Sequence, residues 1–155
     1  MYDRRYTPQS EREPSPMICG AADRAAQPSQ STSVRRALVV DDDEAERSRM
    51  ASLLKHAGYV VSEATNGAEG LAAVAREQPE LLLIEIVLPE TDGLEVIQRV
   101  RKQHPKTTIL AVSGSPRAHG YLSAARLLGA HRTLYKPLSS DRLQEALAPT
   151  GQESF

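Results

Sequence analysis

Acids, a hydroxyl group and an amine each lie at or near the end of a short apolar run. The aspartates Asp41 to Asp43 follow "RALVV", and Glu85 interrupts "LLLIEIV". Ser113 ends "TTILAVS", and Lys136 follows "RTLY". Clustered carboxylates raise one another's pKa and attract a hard cation such as Mg²⁺. Beside a hydroxyl and an ammonium group, such a cation would suit a phosphoryl group.

Alternating sequence patterns indicate how these groups come together. Strands are predicted at 36–40, 59–64, 80–87, 107–113 and 132–135, and helices at 43–58, 66–78, 92–104, 120–130 and 139–148. Asp43, Asn66 and Asp92 each precede a glutamate by three residues, which predicts helix N-caps. Strict alternation favours an α/β fold: an open, doubly wound, five-stranded parallel sheet with five helices on its two faces. Because chemistry in such sheets collects outside the carboxyl ends of the strands, we expect the four groups to converge there.

Composition limits the class of protein. The chain has 155 residues, which suits one domain with a tail, and its net charge of −1 argues against a nucleic-acid or membrane partner. The apolar runs are too short to span a membrane, and the single Cys19 excludes an internal disulfide, so we expect a cytoplasmic protein. Residues 1–33 are rich in Ser, Gln and Pro, and we predict a disordered tail, followed by a folded domain at 34–149 and a short tail at 150–155.

Four blocks together resemble the receiver domain of bacterial two-component response regulators: "LVVDDDEAER", "LLLIEIVLPETDGLEVIQRVR", "ILAVSGS" and "YKPLSSDRL". The resemblance implies a flavodoxin-like sheet of strand order 2-1-3-4-5. It also implies a sensor histidine kinase that passes a phosphoryl group to an aspartate at the end of the third strand. Further implied partners are a phosphotransfer protein or a downstream target, bound through the fourth helix, fifth strand and fifth helix.

The resemblance assigns roles to individual positions. Asp41 and Asp42 match the acidic pair that holds Mg²⁺, with the acceptor position and the backbone carbonyl of Val87 as further ligands. Ser113 matches the switch hydroxyl, and Lys136 matches the lysine that contacts the phosphoryl group. The acceptor position itself is Glu85, so we expect Mg²⁺ binding to be weak or absent.

A second position also departs from the family pattern. The switch residue three positions before the lysine, usually aromatic, is Thr133. Tyr135 directly precedes Lys136, and strand alternation predicts that it points to the other face, which would make it a poor substitute.

Three interpretations of Glu85 compete. It could be a charged strand residue facing water, although its apolar neighbours on both sides argue for a covered strand. It could be a working phosphoryl acceptor in an Mg²⁺-dependent receiver. We favour the third interpretation, a degenerate receiver that acts by protein contact. One extra methylene moves the carboxylate by roughly 1.5 Å, and a misplacement near 1 Å can cost roughly 10²-fold in rate. The longer side chain could instead form an ion pair with Lys136 and imitate the phosphorylated state.

Other classes of protein fit less well. The spacing of Asp41 and Asp43 is shared with haloacid-dehalogenase-like phosphatases, which would make the chain a small hydrolase. That motif normally continues with Thr or Val where this chain has Ala45, and no second acidic motif follows. A transcription factor is disfavoured because we find no helix-turn-helix pattern and no basic face. We therefore predict a stand-alone receiver without enzymatic activity.

Overall fold

The structure is a computed structural model that describes residues 33–149, so the two predicted tails and Cys19 lie outside the described residues. The strands are β1 (Arg36–Val40), β2 (Val60–Ala64), β3 (Leu81–Glu85), β4 (Thr108–Ser113) and β5 (Arg132–Tyr135). The helices are α1 (Glu44–His56), α2 (Gly67–Glu77), α3 (Gly93–Gln103), α4 (Ala118–Leu128) and α5 (Ser140–Leu147). All ten predicted elements are present, in the predicted order. In the described part of the chain, no helix is long and apolar enough to cross a membrane.

The five strands form one parallel sheet of order β2-β1-β3-β4-β5, which confirms the predicted fold class. Alternate strand residues face opposite sides and build two hydrophobic cores. One core lies against α2, α3 and α4, and the other lies against α1 and α5. β3 sits at the centre of the sheet, and all five of its residues are buried. Both faces of the sheet are therefore covered, and only its edges are left for chemistry.

Side-chain caps fix where the helices begin. The side chains of Asp43 and Asn66 accept hydrogen bonds from the third N–H group of α1 and α2, as predicted. Asp92 caps α3 through the N–H of Leu94 instead. Because α1 and α3 begin directly after the loops that follow β1 and β3, these caps also hold the loop that carries Asp41 and the loop that follows Glu85.

α4 begins earlier than predicted. The sequence pattern placed its start at Gly120, but the helix begins at Ala118. The carbonyl of Ser115 accepts from the N–H of Ala118, and the Ser115 hydroxyl accepts from the N–H of Arg117. Ala118 is also buried against the α2–α4 core. The hydrogen bonds of Ser115 and the buried methyl group of Ala118 therefore move the start of the helix two residues ahead of the predicted one.

His131, a lone histidine directly before β5, connects β4 to β5. Its ring Nδ1 accepts a hydrogen bond from the backbone N–H of Ile109 at 3.0 Å. The backbone N–H of His131 donates in turn to the Ile109 carbonyl. Burial lowers the pKa of His131, and the positive charge of Arg101 lowers it further. A protonated Nδ1 could not accept the Ile109 N–H, so the neutral ring is the form that stabilises the fold.

We expect His131 to make stability depend on pH. Since its folded pKa lies below the unfolded value, its contribution is complete above the unfolded pKa, near 6.5, and is lost as pH falls through the folded pKa. Urea unfolding between neutral and mildly acidic pH should show this loss, limited to roughly 1 kcal/mol because His131 is exposed to solvent. His131→Asn keeps an acceptor oxygen without titrating and should flatten that part of the profile. Parallel profiles for the two proteins would contradict this role.

Candidate functional site

A shallow concavity of about 250 Å³ lies at the carboxyl edge of the sheet. It is lined by Asp41, Asp42, Asp43, Glu85, Val87, Gly114, Ser115 and Lys136. The acidic run, the acceptor position and the lysine therefore converge as the topology predicts. A larger groove of about 1130 Å³ lies where the strands begin and contains none of these groups, so the smaller concavity is the candidate site.

Lys136 lies between two buried carboxylates. Its Nζ is 2.5 Å from Oδ2 of Asp41 and 2.8 Å from Oε2 of Glu85. Asp41 is fully buried, Glu85 is 5% exposed, and the Lys136 side chain is 14% exposed. The interpretation of Glu85 as a strand residue facing water is therefore wrong. One ammonium group instead compensates two acids from different strands.

Lys136 reaches these acids by crossing the end of a neighbouring strand. Lys136 follows β5, the outermost strand of the sheet. Glu85 ends β3 and Asp41 follows β1, and β4 lies between β5 and β3. Gly114, directly after β4, gives this crossing room, because a Cβ there would be in tight contact with Lys136, at 3.3 Å from its Cβ and 3.4 Å from its Cδ. The backbone N–H of Lys136 donates to the Ser113 carbonyl, and the Lys136–Pro137 peptide bond is cis.

Backbone N–H groups bind the other oxygen of each carboxylate. The N–H of Asp43 donates to Oδ1 of Asp41 at 2.9 Å, and the N–H of Val87 donates to Oε1 of Glu85 at 3.0 Å. The loop that supplies Val87 is held by Gly93, whose N–H donates to the Ile86 carbonyl. All four oxygens of the two acids therefore have a hydrogen-bond donor.

The sharing of one ammonium group appears in the acid–base properties of the site. Burial raises the pKa of Asp41, and this outweighs the hydrogen bond from Lys136, which lowers it. Burial lowers the pKa of Lys136, but the hydrogen bonds to Asp41 and Glu85 and the charges of these acids raise it by more. Lys136 thus stays protonated at neutral pH, which is the charge state that its two partners require.

Ser113 ends β4 beside the site but is not among the residues that line the concavity. It is fully buried, and its hydroxyl oxygen accepts a hydrogen bond from the N–H of Ser115 at 3.3 Å. Within residues 33–149 it forms no hydrogen bond with Glu85. The hydroxyl thus shapes the turn that leads into α4.

Arg47 supports the site and was not singled out from the sequence. Its guanidinium group donates to the Asp41 carbonyl at 2.9 Å and lies 4.0 Å from the carboxylate of Glu63 on β2. The side chain is only 15% exposed. Arg47 therefore fixes the backbone at the end of β1 from the α1 side. Its position six residues after Asp41, in the second turn of α1, is the sequence signal that could have identified it.

Within residues 33–149 the acidic side chains of the site are not gathered into a cluster of metal ligands. Asp42 is exposed, and across residues 33–149 no three His, Cys, Asp or Glu side chains are gathered closely enough to hold a metal ion. The predicted set of Asp41, Asp42 and Glu85 is therefore not assembled as a ligand cluster. Val87, expected to offer its carbonyl, lies beside Glu85 and donates its N–H to that residue.

The side chains of Thr133 and Tyr135 lie on the same face of β5. Their positions differ by two, so both point to the same face of β5, while Leu134 packs into the opposite core. The hydroxyl of Tyr135 lies 3.2 Å from Nδ1 of His119 on α4. The expectation that Tyr135 is turned away from the face of the switch position was wrong, because alternation separates it from Lys136 and not from Thr133. Tyr135 is 45% exposed and directly opposite Ser113 in the sheet.

Comparison with known proteins agrees with this geometry. The sequence profile of the response regulator receiver domain matches residues 37–148. The chain is 31% identical to the chemotaxis protein CheY of Thermotoga maritima over 114 residues, which cover 73% of this chain and 94% of that protein.

Solved structures show the same fold. A CheY-like receiver domain protein from Methanospirillum hungatei superposes with a TM-score of 0.68 at 31% identity, covering 73% of this chain and 90% of that one. A response regulator from Burkholderia pseudomallei was solved with a phosphorylated aspartic acid, a calcium ion and citrate. It superposes with a TM-score of 0.67 at 28% identity, and the match covers 73% of this chain and 66% of that one. The profile match alone spans most of the chain, and the relatives share its fold and order of elements. The chain therefore belongs to the response regulator receiver domain family.

Proposed function

We propose that this chain is a phosphorylation-independent receiver that signals by protein–protein contact in the cytoplasm and has no enzymatic activity of its own. The observation that carries the proposal is the buried ion pair between Glu85 and Lys136, with Nζ and Oε2 2.8 Å apart. In this proposal the Glu85 carboxylate supplies negative charge close to where the oxygens of a phosphoryl group would lie. The imitation is partial, since a carboxylate has less charge and fewer oxygens than a phosphoryl group.

The surroundings of Glu85 disfavour its use as an acceptor. An attacking carboxylate oxygen needs free access in line with the leaving group of the donor. Oε1 of Glu85 accepts from the Val87 N–H, and Oε2 is paired with Lys136. In the Burkholderia relative the phosphorylated residue is an aspartic acid, which is one methylene shorter. We infer that phosphoryl transfer to Glu85 is slow or absent.

The surface formed by α4, β5 and α5 supports action through a partner. Tyr121 and Leu127 on α4 are 37% and 89% exposed, and Tyr135 on β5 is 45% exposed. Exposed aromatic and aliphatic side chains are typical of protein contact sites. The partner would be a downstream target, a phosphotransfer protein or a histidine kinase that binds without transferring phosphate.

Phosphorylation can be tested on the isolated protein. After incubation with Mg²⁺ and a small acyl phosphate, we expect the intact mass of the wild type to stay unchanged. Glu85→Asp restores the acceptor used by the family and should gain the mass of one phosphoryl group, at a rate roughly 10²-fold or more above that of the wild type.

Two results would contradict the proposal. One is a labelled wild type whose label disappears in Glu85→Gln, because Glu85 would then be a working acceptor. The other is turnover of a generic phosphate monoester by the wild type, which would favour the hydrolase interpretation.

The strength of the Glu85–Lys136 pair can be measured by a double-mutant cycle. Glu85→Gln, Lys136→Met and the double variant are compared by urea unfolding, and we expect a coupling energy of roughly 1–3 kcal/mol because the pair is buried. The control is the pair Glu95–Arg99 on α3, which is shorter at 2.6 Å but about half exposed. We expect that pair to couple by only about 0.3–0.5 kcal/mol.

Equal coupling energies for the two pairs would show that burial adds nothing to the Glu85–Lys136 interaction. The functional counterpart uses Lys136→Ala. If this variant binds the downstream partner as tightly as the wild type, the pair does not set the signalling state and the proposed imitation is wrong.

A further inference from the structure

We propose that the ammonium group of Lys136 is a built-in cation that neutralises Asp41 and Glu85 in place of a divalent metal ion, so that the native site is closed to Mg²⁺ and opens when the lysine charge is removed. This inference concerns the cation alone. It stands whether or not Glu85 accepts a phosphoryl group, and its test contains no phosphoryl donor.

The pairing of the carboxylate oxygens is the first argument. Mg²⁺ needs a near-octahedral set of oxygen ligands at short distance. Oδ2 of Asp41 and Oε2 of Glu85, the two oxygens that converge, both contact Nζ of Lys136. Their other oxygens accept from backbone N–H groups of Asp43 and Val87. A metal ion between the two acids would have to displace the ammonium group or break these bonds.

Charge gives the second argument. The ammonium group supplies one positive charge beside Asp41 and Glu85 and would repel a divalent ion placed a few ångströms away. The concavity also contains Asp42 and Asp43, which are exposed and attract cations from solution. Their attraction is screened by water and salt, whereas the repulsion acts at close range in a buried setting. The repulsion by Lys136 therefore outweighs the attraction, and a divalent ion is kept away from Asp41 and Glu85.

The side chain of Lys136 is also held in place. Its stem packs over Gly114, its backbone N–H is bonded to the Ser113 carbonyl, and the side chain is only 14% exposed. An ammonium group tethered in this way does not leave the site by diffusion, as a bound ion does. Mg²⁺ would therefore compete with a cation of very high local concentration.

The first experiment measures cation binding by the 155-residue wild type. Mn²⁺ serves as the probe because it prefers the same oxygen ligands and its free form is counted by electron paramagnetic resonance. We expect the protein to leave millimolar Mn²⁺ essentially free. Stoichiometric binding of one Mn²⁺ that is lost in Asp41→Asn would overturn the inference.

The second experiment removes the built-in charge. Lys136→Gln leaves Asp41 and Glu85 uncompensated, and we expect it to bind Mn²⁺ roughly tenfold or more tightly than the wild type. Added MgCl₂ should raise its melting temperature by several degrees relative to NaCl of equal ionic strength. The matched control is Lys106→Gln, which removes an exposed lysine that lines the groove at the opposite edge of the sheet and should behave like the wild type.

Each further outcome has a defined meaning. A Lys136→Gln protein that folds only with Mg²⁺ supports the inference, whereas one that folds but gains no affinity for Mn²⁺ overturns it. If the variant does not fold in either salt, the wild-type titration decides alone. The double variant Asp41→Asn/Lys136→Gln locates the new site, since it should lose the gain in affinity. A gain that survives in the double variant would place the ion elsewhere and contradict the inference.

Discussion

The central constraint of this structure is the sharing of one ammonium group by two buried carboxylates. An ionised acid in a covered position is costly unless a partner and hydrogen bonds compensate it. Asp41 and Glu85 lie at the ends of adjacent strands, so the charge of Glu85 also raises the cost of ionising Asp41. Lys136 and two backbone N–H groups offset that cost. Removing the lysine would therefore leave two charges without a partner, the most destabilising change that a buried ion pair can undergo.

The sheet order explains why a long side chain is needed at position 136 and why it passes over residue 114. Lys136 follows the edge strand β5, whereas Glu85 lies two strands away on β3 and Asp41 follows β1, one strand further. Neighbouring strands are about 4.8 Å apart, so only a long, unbranched side chain can span the gap. That side chain runs over the end of β4, where Gly114 has no Cβ to meet it. Three features thus let Nζ of Lys136 reach the two acids: the length of the lysine side chain, the absence of a side chain at position 114 and the parallel order of the strands.

The sequence was sufficient to predict the elements, the doubly wound parallel sheet and the edge at which the chemistry lies, because these depend on local periodicity and on topology. It could not predict that Asp41 pairs with Lys136, which depends on a contact across 95 positions. It also could not reveal that Nδ1 of His131 accepts the Ile109 N–H, since a lone histidine has no distinctive spacing.

The error over Tyr135 has a different origin. Alternation was counted from Lys136, where the strand has already ended, and not from Thr133 within it. The structure describes Tyr135 on the α4 side, in contact with His119. Position 133, where the family usually has an aromatic residue, is Thr133, and the aromatic residue of this strand is Tyr135, two positions nearer its end. The Tyr135 hydroxyl contacts His119 on α4. Under the proposed function, the charge of the site is balanced by the chain itself, and no kinase sets it. Information would then enter through the surface that carries Tyr135, because Tyr135 is exposed, whereas Asp41 and Glu85 are buried and already paired with Lys136.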